Sequence, residues 1–363
     1  MMIRFKHGNI DLELERPAFL VGNGINRADG CTMSWEDLLM DSLQSEMRNA
    51  TQNDDDTSIL FKINNASASV QISVDISNQK SMKNPMGSLS YPEIAELALL
   101  RKSPESYDKD SKPEFLSMVT EKVKANLEKA SRFNDNHEKM AVFAKEHKIP
   151  ILTTNFDRNF LRTSCFEGQD LDKIRLNWIK SDKKIEKDCE APDEKEQYDY
   201  QTLKNACFHP KSLNKIEDIH SEFAVWHIHG VISRPKSLCY TNWDYFNYCA
   251  KIKEVSNRKK YDDHSKDSTW IDIFLDNDLI IMGLGLDSFE TDLRALLSER
   301  NIKHKVKKHI KEEWKKPATI YIYRKEALET EMPACKKALF EALGIRCVPM
   351  PQDEIYVIEK YLK

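Results

Sequence analysis

Apolar positions along this chain gather in short continuous runs that break off at glycine or at a polar cluster. Phe19-Leu20-Val21 breaks at Gly22-Asn23-Gly24-Ile25-Asn26, and Ile151-Leu152 breaks at Thr153-Thr154-Asn155-Phe156-Asp157. Trp226-His227-Ile228-His229 stops at Gly230, and Leu279-Ile280-Ile281-Met282 stops at Gly283-Leu284-Gly285. A short apolar run without alternation is what a strand buried on both faces requires, as in a parallel sheet. Ala318-Thr319-Ile320-Tyr321-Ile322-Tyr323 and Gly344-Ile345-Arg346-Cys347-Val348 predict two more strands.

Helical signals lie between these runs. Ser34-Trp35-Glu36-Asp37-Leu38-Leu39 reads as a capped helix start, and Pro92 suits a first helical turn. Further helices are predicted near residues 113 to 131 and 135 to 147, from Asp292 through Leu297, over 333 to 343, and at the end of the chain. Strands alternating with helices predict an α/β fold: a Rossmann-like, mostly parallel sheet with helices on both faces and helical or irregular insertions. Residues 1–363 read as a single elaborated domain with core strands within 17–49, 148–165, 222–297 and 317–363. The intervening segments, a largely helical 50–147 and a charged, irregular 166–221, read as insertions.

Composition narrows the function classes. At 363 residues and 40% hydrophobic content a sizeable core is expected. A formal charge of -4 gives no overall drive toward nucleic acid or an anionic membrane, so neither is expected as a direct ligand. No stretch approaches the roughly 18 to 20 apolar residues of a membrane span, and the start Met1-Met2-Ile3-Arg4-Phe5-Lys6-His7 has no signal-peptide core. A soluble, cytoplasmic protein is expected. Eight cysteines never pair as C-x-x-C, which predicts neither a zinc ribbon nor a disulfide framework. No metal is expected. The basic run Lys303-His304-Lys305-Val306-Lys307-Lys308-His309-Ile310-Lys311 reads as a solvated face in preference to a binding patch.

Chemistry is concentrated where the apolar runs end. Gly22 and Gly24 would let backbone N–H groups approach a phosphate beside a helix N-terminus, or would simply allow a tight turn. Asn155 and Asp157 would face one way if the strand continued; they suit orientation of a ribose, a water or a carboxamide, or alternatively an Asx turn. His227 and His229 would share one strand face, where an imidazole suits proton transfer near neutral pH or a structural hydrogen bond.

Together these segments resemble the sirtuin superfamily, in the family's motif order. Gly22-Asn23-Gly24-Ile25-Asn26 is similar to G-A-G-[IV]-S, Thr153-Thr154-Asn155-Phe156-Asp157 to T-Q-N-[IVF]-D, and His229-Gly230 to the catalytic H-G. Gly283-Leu284-Gly285-Leu286-Asp287 is similar to the late glycine strand. Ser34 to Leu39 and Tyr240-Thr241-Asn242-Trp243-Asp244-Tyr245 resemble signatures of prokaryotic sirtuin-like NAD hydrolases of antiphage defence. Neither a P-D-F-R segment nor a cysteine quartet is present, and Asn23 and Asn26 replace the family's alanine and serine.

The resemblance implies cleavage of the nicotinamide–ribose bond of NAD, as substrate, to give nicotinamide and ADP-ribose. Asn155 and His229 would be catalytic, His229 as general base and Asn155 holding water or ribose. Gly22, Asn23, Gly24, Ile25, Asn26, Asp157, Gly283, Leu284, Gly285 and Asp287 would line the NAD site, Asp157 at the carboxamide and the Gly283 segment at the adenosine half. It further implies a homo-oligomer and a HerA-type ATPase or another defence-system partner. The long insertions or the C-terminal region are expected to restrain an otherwise toxic activity until a trigger or partner acts. Protein deacylation or ADP-ribosyl transfer, and a non-catalytic NAD or ADP-ribose sensor, are the competing expectations.

Overall fold

A computed structural model describes residues 2–28, 58–65, 68–75, 92, 133–168, 207–208, 219–232, 238–239, 241–261, 269–286, 290–310, 316–325 and 334–363. In chain order the strands and helices begin with β1 (Ile3–His7), β2 (Ile10–Leu14), β3 (Pro17–Val21) and the single turn α1 (Gly24–Arg27). Next come β4 (Ser58–Asn65), β5 (Ala68–Asp75), α2 (Asp135–Glu146), β6 (Ile151–Thr153), β7 (Cys207–Phe208) and β8 (Val225–His227). They close with α3 (Asn242–Tyr261), α4 (Trp270–Asp276), β9 (Asp278–Met282), α5 (Thr291–Ile310), β10 (Thr319–Arg324), α6 (Ala334–Ala342) and β11 (Arg346–Met350). The chain divides into two compact units, one of Met1–Cys31, Ser131–Cys239 and Asn247–Lys363, the other of Thr32–Ala130 and Tyr240–Phe246.

The first unit holds a seven-stranded sheet in the order β11-β10-β9-β3-β6-β8-β7. Its first six strands are mutually parallel, and the short edge strand β7 runs antiparallel to β8. From central β3 the chain steps outward through β6 to β8, then crosses back to β9 and outward through β10 to β11. This is an α/β Rossmann-like sheet, and the reversal between β3 and β9 is the switch point at which such sheets open a crevice. The buried runs predicted the central strands correctly: every residue of β3, β6, β8 and β9 is buried. Phe19, Val21, Ile151, Ile280, Ile320 and Val348 meet Met140, Ala141 and Ala144 of α2 in one core. Each such aliphatic or aromatic side chain contributes about 1.5–3 kcal/mol by leaving water.

Local chemistry explains the element ends. Asn134 caps α2 by accepting from the N–H groups of Asn136 and His137. Thr269 and Asp272 form a capping box on α4. Thr241 and Asp244 do the same on α3, with the Thr241 N–H donating to Asp244 Oδ2 at 2.9 Å and the Asp244 N–H to Thr241 Oγ1 at 3.2 Å. Such reciprocal caps satisfy two otherwise orphaned donors, so the T-x-x-D segment at Thr241 has a structural role of its own.

Arg300, 2% exposed, occupies the C-terminal end of α4. Its guanidinium donates to the carbonyls of Phe274 and Leu275 at 2.8 Å each, Asn277 at 2.6 Å and Ala318 at 2.9 Å, and to Thr319 Oγ1 at 3.0 Å. Burial lowers its pKa to about 10. A cation at a helix C-terminus is favoured by the dipole and by the unpaired carbonyls there.

Several expectations change. Residues 3–14 form an antiparallel hairpin, and Phe5 bridges to Leu362, so the last residues pair with β1 where a terminal helix was predicted. One 3₁₀ turn, Ile358–Lys360, stands in place of that helix, because Tyr361 and Lys363 spend their backbone groups on Lys6 and Arg4. Within 50–147 the described residues include the β4–β5 hairpin, whose Ile59/Phe61/Ile63 and Val70/Ile72/Val74 alternation is a period-two signal, as well as helix α2. Strand β7 shows that part of 166–221 belongs to the sheet. The predicted helices at 34–39 and 113–131 lie outside the described residues. Among the described residues no helix is long and apolar enough to cross a membrane.

Candidate functional site

The last residues of four adjacent strands stand in one row. Val21 is in register with Met282 of β9 and with Thr153 of β6, and Thr153 is in register with His227 of β8. The four motifs that follow these strands therefore leave the sheet at the same level, at its carboxyl edge.

The glycine segments meet at the switch point. Gly22 N–H donates to Met282 O at 3.0 Å and Gly24 N–H to Gly283 O at 2.8 Å. A Cβ on Gly22 would lie 2.4 Å from Gly283 O, and one on Gly24 would lie 2.5 Å from Gly283 Cα and 2.7 Å from the Tyr356 hydroxyl. Gly283 itself has φ +64, a conformation glycine adopts without cost. In this structure the missing side chains are explained first by close packing of two backbones. Leu284 and Gly285 follow, their carbonyls accepting from the Tyr321 hydroxyl at 2.8 Å and Lys336 Nζ at 2.6 Å respectively. Asp287 lies outside the described residues.

Beyond β6, Thr153 Oγ1 donates to Val21 O at 3.0 Å and accepts the Asn155 N–H at 3.1 Å. This turns the Asn155 side chain toward the glycine loop, where Nδ2 donates to Gly22 O at 3.3 Å. Asn155 is 1% exposed, and its Oδ1 is buried with no hydrogen-bond partner. A buried carbonyl oxygen without a donor is costly, and a hydroxyl or water of a bound substrate would satisfy it.

Asp157 takes another course. The strand ends at Thr153, so Asn155 and Asp157 do not continue as extended neighbours. Asp157 Oδ1 accepts the Asn159 N–H at 2.9 Å, closing an Asx turn, and Oδ2 accepts Asn26 Nδ2 at 2.6 Å. Asn26 Nδ2 also donates to Asn23 Oδ1 at 2.9 Å, and Asn26 Oδ1 accepts Asn159 Nδ2 at 3.0 Å. Burial pushes the Asp157 carboxyl up, partly countered by its bonds from Asn159 and Asn26. Both its oxygens serve this network, which fixes α1 to the turn after β6. Ile25 points into the core at 0% exposure, and its carbonyl accepts Asn134 Nδ2 at 3.0 Å.

His227 and His229 do not share a strand face. Strand β8 ends at His227, and Gly230, at φ +93, donates its N–H to His227 O at 3.0 Å to make a turn. His227 Nδ1 lies 2.9 Å from Asn155 O; since a carbonyl only accepts, Nδ1 carries the proton there. His229 is 3% exposed, and its Nε2 lies 2.7 Å from Oδ2 of Asp292, which is 0% exposed. The Tyr248 ring stands edge-on to His229, with centroids 6.0 Å apart at 77°, and stacks on Trp270 at 6.1 Å. The Tyr248 hydroxyl donates to Ile228 O. Burial, reinforced by the Asp292 charge, drives its pKa well above the usual phenol range.

Asp292 and Tyr248 were not singled out from sequence. A carboxylate in the first turn of the helix after the last glycine strand is the signal that points to Asp292, because such a turn faces the sheet's carboxyl edge. Among the described residues no group of three or more His, Cys, Asp or Glu side chains is placed to hold a metal ion. No protein-family model matches the chain, and no curated protein is found to be similar to it.

Proposed function

We propose that this protein hydrolyses the nicotinamide–ribose bond of NAD, as its sirtuin-like motifs suggest, and acts as a regulated NAD-depleting effector. The observation that carries this reading is the common row of Val21, Thr153, His227 and Met282. It draws the glycine loop, Asn155, the His229 turn and the Gly283 loop to one edge of the sheet, beside the switch point where dinucleotides bind such folds.

In this reaction the C1′–N bond breaks with its electron pair passing to the nicotinamide ring nitrogen, which loses its positive charge. Water forms the new C1′–O bond, and its proton goes to a base. His229 is that base, and the unpartnered Asn155 Oδ1 accepts from the attacking water or a ribose hydroxyl. A positioned base of this kind contributes about 10²- to 10⁴-fold. Asp157 holds the Asn26 turn and contributes geometry in place of a carboxamide contact.

Incubating the full chain with NAD alone, over a range of protein concentrations, tests the reading by chromatography of products. Nicotinamide and ADP-ribose in equal amounts, without any protein acceptor, are expected. NAD left intact until an acylated peptide or acceptor protein is added would move the activity to deacylation or transfer. Ligand-dependent melting shifts without product would make the chain a sensor.

A further inference from the structure

We infer that Asp292 is a positioning residue for His229, fixing the imidazole with its proton on Nε2 so that Nδ1 is the nitrogen that takes the proton in the reaction. The catalytic half of this inference rests on the NAD-cleaving reading; the tautomer itself does not.

The geometry is that of a buried imidazole–carboxylate pair. Nε2 and Oδ2 are 2.7 Å apart, with side chains 3% and 0% exposed. An ionised carboxylate accepts and cannot donate, so Nε2 is the protonated nitrogen whether the ring is neutral or charged. The same carboxylate stabilises the imidazolium that forms when Nδ1 accepts a proton, the role that an aspartate plays in hydrolytic triads.

Fold stability alone does not call for a carboxylate here. Elsewhere in this chain buried imidazoles are held on neutral oxygens: His227 Nδ1 on Asn155 O at 2.9 Å, His304 Nε2 on Leu275 O at 3.0 Å, and His137 Nδ1 on Asn134 Oδ1 at 2.8 Å. Asp292 has moreover a second oxygen, Oδ1, buried with no hydrogen-bond partner. A buried carboxylate with one oxygen unsatisfied by the protein is a cost that a neutral acceptor would avoid. It is placed rigidly, since Leu293, Leu296 and Leu297 bury the same helix start at 0–2% exposure. Tyr248 packs edge-on against the His229 ring while its hydroxyl is committed to Ile228 O.

The test is ¹⁵N NMR of histidine-labelled full chain at neutral pH, with the His229 signals assigned by their loss in H229Q. Wild-type His229 is expected to show a protonated Nε2 and an unprotonated Nδ1, and D292A to lose that preference. A wild-type His229 protonated on Nδ1 with Nε2 bare overturns the inference without any variant. If D292A does not fold, the isosteric D292N serves in its place. In NAD turnover, D292N is expected to lose about 10²- to 10⁴-fold in kcat with KM changed less than about threefold. A loss confined to KM, or a tautomer unchanged in both variants, overturns it. The wild-type spectrum reads the pair even in a protein that leaves NAD intact, so failure of the reaction and failure of the pairing are separately visible.

Discussion

Gly24 and Gly283 approach so closely that a Cβ on Gly24 would lie 2.5 Å from the Gly283 Cα. The obstacle is backbone, not the end of a flexible side chain, so nothing nearby yields cheaply. Gly24→Ala is expected to destabilise the protein by about 1–3 kcal/mol, as overpacking does, with Gly22→Ala similar. Thermal melting of each variant checks this. A Gly24→Ala protein that melts like wild type but no longer binds NAD would make phosphate contact the reason for the glycine.

Removing His229 by alanine strands the Asp292 carboxylate without its partner, and breaking one side of a buried pair costs about 3–5 kcal/mol. His229→Ala is therefore expected to lose stability as well as activity. His229→Gln retains a donor for Asp292, and should keep most of the stability while losing about 10²-fold or more in turnover. Parallel melting curves and NAD turnover separate the two effects. Full turnover in His229→Gln would sink the assignment of His229 as base.

Asn155→Ala removes the bond from Nδ2 to Gly22 O and the unpartnered Oδ1 together. The first change costs about 1 kcal/mol; the second relieves a buried unsatisfied oxygen, so the net change in melting should be small. Turnover is expected to fall by about 10²- to 10⁴-fold. Substantial unfolding with a proportionate loss of activity would instead make Asn155 a structural strut.

Acid should unfold this protein through histidines that are buried neutral. Burial lowers the pKa of His137 to about 3, against the bond it donates to Asn134, and that of His304 to about 4, with the Arg300 charge adding to burial. Their neutral forms favour the fold, so this contribution is intact above pH 6.5 and is lost as pH falls toward 4 and then 3. Each group steepens the loss by up to about 1.4 kcal/mol per pH unit. Asp157, shifted upward by burial, acts in the opposite sense: its contribution is present below the ordinary carboxylate range and declines as pH rises. Melting temperature against pH should fall between pH 6.5 and 4, and less steeply in His304→Gln.

Arg300→Met removes five hydrogen bonds and leaves the buried carbonyls of Phe274 and Asn277 without the guanidinium donor, while Leu275 O keeps His304 Nε2 and Ala318 O keeps the Leu279 N–H. A loss of at least about 3 kcal/mol is expected, since each unsatisfied acceptor costs about 1–3 kcal/mol. Arg300→Lys should rescue little of it, because a single ammonium cannot span the fork that the guanidinium fills. Denaturant midpoints of both variants check the ranking.

The central strands were legible because a doubly buried strand must be apolar throughout, as Phe19–Val21 and Leu279–Met282 are. The β1–β2 hairpin carries a different signal: Ile3, Phe5, Ile10, Leu12 and Leu14 alternate with Arg4, Lys6, Asp11 and Glu13, the period of a half-exposed strand and not a continuous apolar run, and β7 is too short to carry a period. The candidate site was legible in its strand ends and not in its pairings. His229 and Asp292 meet across 63 positions and Asn26 and Asp157 across 131, separations at which no local pattern acts. The Thr241–Asp244 segment carries a helix cap, so its spacing has a structural reason that does not involve a ligand.

The row formed by Val21, Thr153, His227 and Met282 ties the spacing of the chemical groups to hydrogen bonds across the sheet and not to the length of the chain between them. Adding a residue inside β6 would move Asn155 by about 3.3 Å against Gly22 and turn its neighbours to the other face. Adding dozens between Asp157 and Val225 need change neither distance. A protein arranged this way can lengthen its connections, and acquire whatever those connections bind, while its chemical edge stays fixed to within the tolerance of a strand register.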